Sequence, residues 1–205
     1  MTEIKKIKLS EINLHEAVRF TNDFVFKAIF TNPDDNYILL RSLIHSIIGG
    51  PSITSLELLN SEENKDSKDA KAIRYDIKAQ LETKELVEIE MQKAVSREEI
   101  KERGGYYAMR LANRQDAKGK RYRDIKPVYS IFLCDFPYFE KKEQWKEEYV
   151  MRGKENTEDI LTQKVKTIII EIDKGHLFQG IPTEGIGYVE KVDHHTRDER
   201  LEKNR

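Results

Sequence analysis

Residues 74–93 read RYDIKAQLETKELVEIEMQK, and the alternation of their side chains decides the fold. Successive side chains of a β-strand point to opposite faces of the sheet, so a period of two separates an apolar face from a polar one. The segment shows this period on both sides of a polar turn at 82–85. The apolar set is Ile73, Tyr75, Ile77, Ala79 and Leu81, followed by Val87, Ile89 and Met91. The pattern predicts a β-hairpin with acidic groups on its other face.

The register of this hairpin follows from aligning the two apolar sets. Directly opposed residues share a face, so even positions must oppose even positions. A three-residue turn does this and places Asp76 opposite Glu90 or Gln92. Opposed Cβ atoms lie about 4.5–5.5 Å apart, so these oxygen-bearing side chains can reach one hard cation such as Mg²⁺. Alternation alone also fits a solvated polar face, which is common in antiparallel hairpins.

The pattern D-x(13)-E-x-Q, formed by Asp76, Glu90 and Gln92, resembles the PD-(D/E)XK nuclease core in its glutamine variant. The surrounding sequence is similar to the recombination-promoting nuclease and transposase group of that superfamily. The matching stretches are NDFVFKAIF (22–30), RYDIKAQ, VEIEMQK, ERGGYYAMRLA (102–112) and KPVYSIFLCDF (126–136). Their order along the chain carries the resemblance, since the D…ExQ motif alone occurs by chance in many strands.

The resemblance implies a fold and an activity. The fold is α/β, with a mixed sheet of about four or five strands flanked by helices, as in the restriction-endonuclease core. The activity is hydrolysis of DNA phosphodiesters in recombination or transposition, dependent on Mg²⁺ or alternatively Mn²⁺. Asp76, Glu90 and the backbone carbonyl of Met91 would hold the metal, which lowers the pKa of a bound water and neutralises charge on the phosphate. Gln92 would position that water.

Gln92 stands where the superfamily often has lysine. A lysine can stabilise charge that develops on phosphorus, whereas a neutral amide can only orient water through hydrogen bonds. Lys78 lies on the same predicted face and is a candidate for the missing charge, while Lys93 points to the opposite face. Glu88 also shares the acidic face, and we expect it to be a solvated charge.

Two further candidate residues, Asp23 and Lys27, are spaced i, i+4 on a helix that Thr21 or Asn22 caps. One interpretation is a surface ion pair that contributes a few tenths of a kcal/mol. The other, drawn from the resemblance, is that Asp23 adds a helix-borne carboxylate beside the metal and Lys27 assists it. The sequence leaves both interpretations open.

A later helix carries a basic and aromatic stripe. Ser96 and Glu99 form a capping-box pattern that opens a helix predicted to run to about residue 117. Arg103, Tyr107 and Arg110 are our candidates for contacts with the DNA backbone, which give affinity without sequence information. In the alternative interpretation the tyrosines pack and the arginines are solvated. Gly104 and Gly105 inside this helix predict a close backbone approach to the sheet or to a ligand.

The remaining pattern predicts one more helix and four more strands. The helix begins at Asp35 and ends at a Gly-Gly-Pro sequence, and its predicted buried stripe is Ile38, Leu39, Leu43, Ile44, Ile47 and Ile48. The strands are predicted at 53–59, 127–134, 145–151 and 164–172. Residues 1–19 form a charged lead-in, 20–178 the nuclease-like domain, and 179–205 a tail predicted to be disordered or truncated because it lacks an amphipathic period.

Composition limits the possible partners and surroundings. The 205 residues include 36 Lys and Arg against 37 Asp and Glu, so the net charge of −1 argues neither for nor against nucleic acid. A single cysteine, Cys134, excludes a disulfide framework, and the N-terminus has no signal-peptide core. No apolar run reaches the length of a membrane span, so we expect a cytoplasmic protein without membrane contact. Nucleotide-binding glycine motifs are missing, which disfavours a nucleotide cofactor.

The expected partner is DNA, and a homodimer is compatible with paired cuts, which need two sites. A hypothesis from another class is a catalytically inactive nucleic-acid-binding module, motivated by the glutamine at position 92 and the near-zero net charge. A third is a decayed mobile-element fragment, motivated by the atypical tail.

Overall fold

The computed structural model describes residues 21–63, 73–115, 121–141 and 143–172. The predicted lead-in 1–19 and the predicted tail 179–205 lie outside the described residues, so the domain boundaries remain predictions. None of the helices in the described ranges combines the length and the apolar character that crossing a membrane requires.

The described residues contain three α-helices: α1 Asp23–Phe30, α2 Ile38–Ile48 and α3 Arg97–Asn113. Their starts follow the predicted caps. The side chain of Asn22 accepts a hydrogen bond from the N–H of Phe24 at 3.0 Å, and that of Ser96 accepts one from Glu99 at 3.1 Å. A short 3₁₀ turn, Asp34–Tyr37, precedes α2, so this α-helix begins three residues later than predicted.

The buried stripe of α2 differs from the prediction at one end. Leu43, Ile44 and Ile47 are buried as expected, but Leu40 is also buried and Ile38 is 39% exposed. The helical period explains the difference: Leu40 precedes Leu43, Ile44 and Ile47 by three, four and seven residues and so shares their face, whereas Ile38 lies on the opposite side of α2.

Eight strands form two sheets in the part of the chain that the structure describes. They are β1 Leu56–Leu58, β2 Glu62–Glu63, β3 Ile73–Arg74, β4 Ile77–Leu81, β5 Leu86–Gln92, β6 Val128–Cys134, β7 Lys146–Arg152 and β8 Ile160–Glu171. The main sheet has the order β1-β4-β5-β6-β8-β7, and β2 pairs with β3 separately. Strands β5, β6 and β8 are parallel, and the other neighbours in the main sheet are antiparallel. The mixed α/β sheet is confirmed; its six strands correct the expected four or five.

The hairpin β4–β5 has the predicted even-to-even register. Lys78 pairs with Glu88 and Ile77 with Ile89, so the next pair along the strands is Asp76 with Glu90. The turn contains three residues between Leu81 and Glu85, whose backbones bond at 3.0 Å. Lys84 takes the left-handed conformation, with φ of 73°, which three-residue hairpin turns use at their last position.

The helices cover opposite faces of the main sheet. Helices α1 and α2 pack on the face of the odd-numbered hairpin residues, and together they form the larger apolar core. Helix α3 packs on the other face, against Phe132 and Ile169. The even-numbered acidic residues of β5 therefore lie beneath a helix.

Gly104 allows α3 to approach the sheet. A Cβ atom at this position would lie 2.6 Å from Cγ2 of Thr167 and 3.3 Å from the ring of Phe132. The hydroxyl of Thr167 also donates a hydrogen bond to the carbonyl of Gly104 at 3.0 Å. The predicted close approach is thus to the sheet, and at Gly105 no comparable contact occurs among the described residues.

Candidate active site

The predicted acidic residues meet at one edge of the main sheet. Asp76 directly precedes β4. Glu90 and Gln92 are among the last three residues of β5, at the end where the parallel strands terminate. The N–H of Asp76 donates to Oε1 of Glu90, and the N–H of Met91 donates to Oδ2 of Asp76, both at 3.0 Å. Each carboxylate is therefore held by the backbone of the opposite strand.

Arg103 of α3 connects the second strand of the hairpin to the helix above it. Its Nη2 lies 3.0 Å from Oε2 of Glu90, and its Nη1 donates to Oε1 of Gln92 at 3.1 Å. Gln92 Nε2 lies 3.4 Å from the same oxygen of Glu90. Glu90 and Gln92 are only 3% and 6% exposed, so this cluster of charge and amide is largely shielded from water.

The remaining carboxylate oxygen of Asp76 is paired with α1. Lys27 Nζ lies 2.8 Å from Oδ1 of Asp76, which makes Lys27 part of the site. Asp23, one turn earlier, is mostly exposed and lies 3.7 Å from the amine of Lys93. Lys27 therefore contacts the Asp76–Glu90 pair, whereas Asp23 contacts Lys93.

The basic and aromatic stripe of α3 divides into two environments. Tyr107 packs edge-to-face on Tyr75 with ring centroids 5.2 Å apart, and its hydroxyl lies 3.4 Å from Nη2 of Arg103. Arg110 lies further along α3 and is half-buried. Tyr107 therefore packs against the protein, as one interpretation of the stripe expected. Arg103, which that interpretation expected to be solvated, is instead bound to other side chains of the site.

Lys78 lies on the predicted face but against a ring. It is buried, its Nζ lies 5.1 Å from the ring centroid of Tyr75, and its strand partner is Glu88. One residue pair, Ile77 with Ile89, separates Lys78 from the Asp76–Glu90 pair along the hairpin.

The expectation for Glu88 was wrong. Glu88 is 0% exposed, and it accepts a hydrogen bond from the hydroxyl of Ser130 on β6. Its Oε2 has no hydrogen-bond partner in the described part of the chain. Burial raises the pKa of Glu88 well above its usual range, and the charge of Glu90 raises it further. Alternation predicted correctly the face on which Glu88 lies. It could not predict that α3 covers this face.

Glu90 also titrates unusually. Burial raises the pKa of Glu90 to about 7, and the charge of Asp76 adds to this rise. The hydrogen bond from Asp76 N–H and the positive charges of Arg103 and Lys27 oppose the rise. Near neutral pH this side chain therefore exchanges a proton readily, so its charge depends on any cation that approaches it.

The donor set fits a hard divalent cation with a partly open coordination shell. Asp76 and Glu90 supply two carboxylates from adjacent strands, and Mg²⁺ is usually held by one or two carboxylates plus water and substrate phosphate. Within 21–63, 73–115, 121–141 and 143–172, no group of three or more His, Cys, Asp or Glu side chains forms a closed metal cage.

The fold and this edge of the sheet define a restriction-endonuclease-like α/β protein, with the acidic hairpin next to parallel strands. A family model described as PD-(D/E)XK nuclease family transposase matches residues 20–183. The chain belongs to this family. Neither curated protein sequences nor solved structures gave a match.

Besides the ion pair of Arg103 with Glu90, the sequence did not predict two contacts of the site. Lys27 pairs with Asp76 rather than with Asp23, and Ser130 donates a hydrogen bond to Glu88. The spacing of Asp23 and Lys27 could not reveal the first contact, because it depends on how α1 packs on the sheet. The second had a weak signal: Ser130 is a polar residue within the apolar strand β6.

Proposed function

We propose that this protein is a DNA endonuclease dependent on Mg²⁺ or Mn²⁺ that acts in recombination or transposition. The observation that carries the proposal is the pair of reciprocal hydrogen bonds linking Asp76 to the second strand of the hairpin and Glu90 to the first. These bonds direct two carboxylates to one edge of the sheet without relying on flexible side-chain contacts. The membership of a nuclease family supports DNA as the substrate.

The residues of the site have separate roles in this proposal. Asp76, Glu90 and the backbone carbonyl of Met91 would hold the divalent ion, which would supply charge neutralisation at the phosphate and activation of water. The amide of Gln92 orients the attacking water by hydrogen bonding, since it carries no charge. Arg103 holds the amide of Gln92 in position, because its guanidinium donates a hydrogen bond to the amide oxygen.

Two cations lie where they compete with a metal ion. Lys27 is paired with Asp76 and Arg103 with Glu90, so a divalent ion that binds both carboxylates has to replace these ion pairs. The ammonium of Lys27 and the guanidinium of Arg103 would then be available to a substrate phosphate. Arg103 and Arg110 contact the DNA backbone in this proposal, and Tyr107 supports the guanidinium of Arg103 from the side.

A second candidate function is an inactive DNA-binding module. The same two ion pairs favour it, because a site whose carboxylates are already neutralised has less need of a metal. The neutral Gln92 at the position often held by lysine points in the same direction. This function would retain DNA binding through the basic residues of α3 without cleavage.

Cleavage of supercoiled plasmid with Mg²⁺ or Mn²⁺ tests the proposal. The wild type should nick or linearise the plasmid, and Asp76→Asn and Glu90→Gln should each remove this activity while keeping hydrogen-bonding side chains. Glu57→Gln is the matched control, because Glu57 is an exposed carboxylate on β1 of the same sheet. Plasmid left intact by the wild type with either ion, together with DNA binding, would favour the inactive module. Equal cleavage by wild type and Glu90→Gln would reject the assigned site.

A further inference from the structure

A second cleft opens at the same end of the main sheet, beside the first turns of α3. Its volume is about 220 Å³, and its walls carry three basic and three aromatic side chains: Arg97, Lys101, Lys141, Tyr138, Phe139 and Tyr149. This volume is below the roughly 300–1,000 Å³ of pockets for drug-sized ligands, so it suits one planar group rather than a large molecule.

The segment that contributes Tyr138 and Phe139 to the cleft is held in place by Glu171, a buried residue behind the lining. Glu171, at the end of β8, is 4% exposed, and its Oε2 accepts hydrogen bonds from the N–H groups of Tyr138 and Phe139, both at 3.1 Å. These bonds fix the segment that follows β6. The two aromatic rings lie edge-to-face with centroids 4.9 Å apart, and Tyr138 is almost fully buried. The cleft therefore has a rigid aromatic base.

The rim of the cleft is basic. Arg97 and Lys101 are spaced i, i+4 and so lie on one face of α3, and the guanidinium of Arg97 lies 5.9 Å from the ring centroid of Tyr138. Glu140 is the single acidic residue of the lining, and it pairs with Arg97 at 3.0 Å. Three positive charges against one negative charge attract an anionic ligand that also has a planar, apolar part.

The cleft is aligned with the candidate active site across the strands. Glu90, Phe132, Ile169 and Glu147 are successive partners on β5, β6, β8 and β7. Tyr149 lies two residues further along β7, on the same face. Three strand spacings separate β5 from β7, which is roughly 14 Å at about 4.8 Å per spacing. A stacked DNA strand covers this distance in about four nucleotides, at about 3.4 Å per nucleotide.

We propose that this basic and aromatic cleft binds one unpaired nucleotide of the DNA strand, about four nucleotides from the phosphate at Glu90. Positively charged grooves with aromatic rings are typical of single-stranded nucleic-acid binding, because every base has a face that can stack. The proposal rests on the proposed function for its substrate class, and it names a DNA end or junction with a single-stranded segment as the preferred substrate.

Binding measured without a divalent ion tests this proposal separately from cleavage. Fluorescence anisotropy in EDTA compares a dye-labelled blunt duplex with the same duplex carrying a single-stranded extension, of either polarity. The wild type should bind one of the extended duplexes about fivefold to a hundredfold more tightly, the range expected for stacking of one base. Tyr149→Leu should remove this preference, and Tyr149→Phe should retain it because the ring remains.

The contribution of the basic rim is measured by the salt dependence of binding. Lys101→Gln should lower the slope of log K against log salt for the extended duplex by about 0.7, as expected for one lost phosphate contact with a single strand. Arg152→Gln is the matched control, because Arg152 is an exposed base at the far end of β7, away from the cleft. A thermal melt of each variant excludes a loss of fold as the cause.

The outcomes separate this proposal from the proposed function. A preference for extended DNA that depends on Tyr149 and Lys101, without any cleavage, would support the cleft and reject the nuclease. Cleavage with equal binding of blunt and extended duplexes, or unchanged binding in Tyr149→Leu and Lys101→Gln, would reject the cleft and leave the nuclease standing.

Discussion

The carboxylate of Glu90 accepts a hydrogen bond from the backbone N–H of Asp76 at 3.0 Å, across the two strands of one hairpin. The N–H of Met91 returns a bond of the same length to the carboxylate of Asp76. The even-to-even register makes this exchange possible, since it continues the pairing of Ile77 with Ile89 by one pair. The positions of both carboxylates are therefore tied to the backbone, and the predictions below follow from the groups around them.

Replacement of Lys27 should strengthen metal binding. Lys27→Met removes the ammonium that pairs with Asp76 at 2.8 Å, so Mg²⁺ no longer has to displace it. A partly exposed ion pair contributes about 1 kcal/mol or less, so the gain in affinity should be up to roughly fivefold. Calorimetric titration with Mg²⁺ measures it. Lys93→Met is the control, since Lys93 lies near Asp23 instead; weaker Mg²⁺ binding by Lys27→Met would contradict the competition.

Arg103 should be energetically coupled to Glu90. Their contact is 3.0 Å long, and Glu90 is 3% exposed, so Arg103→Gln should leave a buried charge poorly compensated. A double-mutant cycle of Arg103→Gln and Glu90→Gln, measured by urea unfolding, should give a coupling of roughly 0.5–3 kcal/mol. Additive effects of the two substitutions would show that this ion pair does not stabilise the fold.

Gln92→Ala should slow cleavage and leave metal affinity close to that of the wild type. The ion is held by charge from Asp76 and Glu90, whereas the amide of Gln92 orients water. Loss of one positioned hydrogen bond costs on the order of 3 kcal/mol, about a hundredfold in rate. Gln92→Lys should retain activity, because it restores the common superfamily residue.

The measurement for Gln92 is single-turnover cleavage of duplex DNA at saturating Mg²⁺, with a parallel calorimetric titration. Gln80→Ala is the matched control, since Gln80 lies on β4 near the turn, at the opposite end of the hairpin. An unchanged rate in Gln92→Ala would remove Gln92 from the mechanism and make Lys78 the next candidate.

Gly104→Ala should destabilise the protein although alanine favours helices. The new Cβ would lie 2.6 Å from Cγ2 of Thr167, a buried β-branched side chain that has little freedom to move. Overpacking of this kind costs about 1–3 kcal/mol. Gly105→Ala should instead stabilise by up to about 1 kcal/mol, because the nearest atom to its Cβ is Met109 Cε at 3.9 Å. Thermal unfolding of both variants measures the contrast, and equal shifts would contradict it.

The stability of the protein in EDTA should fall as the pH rises from 5 to 8. Glu90 has its pKa raised to about 7 from an ordinary value of 4.5, and burial also raises the pKa of Glu88. The folded state therefore holds protons that the unfolded state releases, and the corresponding stability is complete below the unfolded pKa and lost as the pH passes the folded pKa. Glu90→Gln should flatten the melting temperature between pH 5 and 8 relative to Glu57→Gln. Parallel profiles in both variants would show that Glu90 does not titrate in this range.

The sequence by itself determined the local features. Alternation in 74–93 gave the two faces of the hairpin, and the need to align the apolar residues gave the register that opposes Asp76 and Glu90. Asn22 and Ser96 gave the helix starts, because a side chain that caps an N-terminus lies next to the N–H groups it satisfies. These features depend on residues close together in the chain or on one period, so they can be derived without the fold.

The tertiary structure decided which groups surround the acidic pair. Lys27 reaches Asp76 only because α1 packs on one face of the sheet, and Arg103 reaches Glu90 because Gly104 lets α3 approach the other. The same helix buries Glu88, which alternation alone would leave in water. A period of two specifies the face on which a side chain lies, but whether that face is covered depends on contacts between distant segments, which no local pattern encodes.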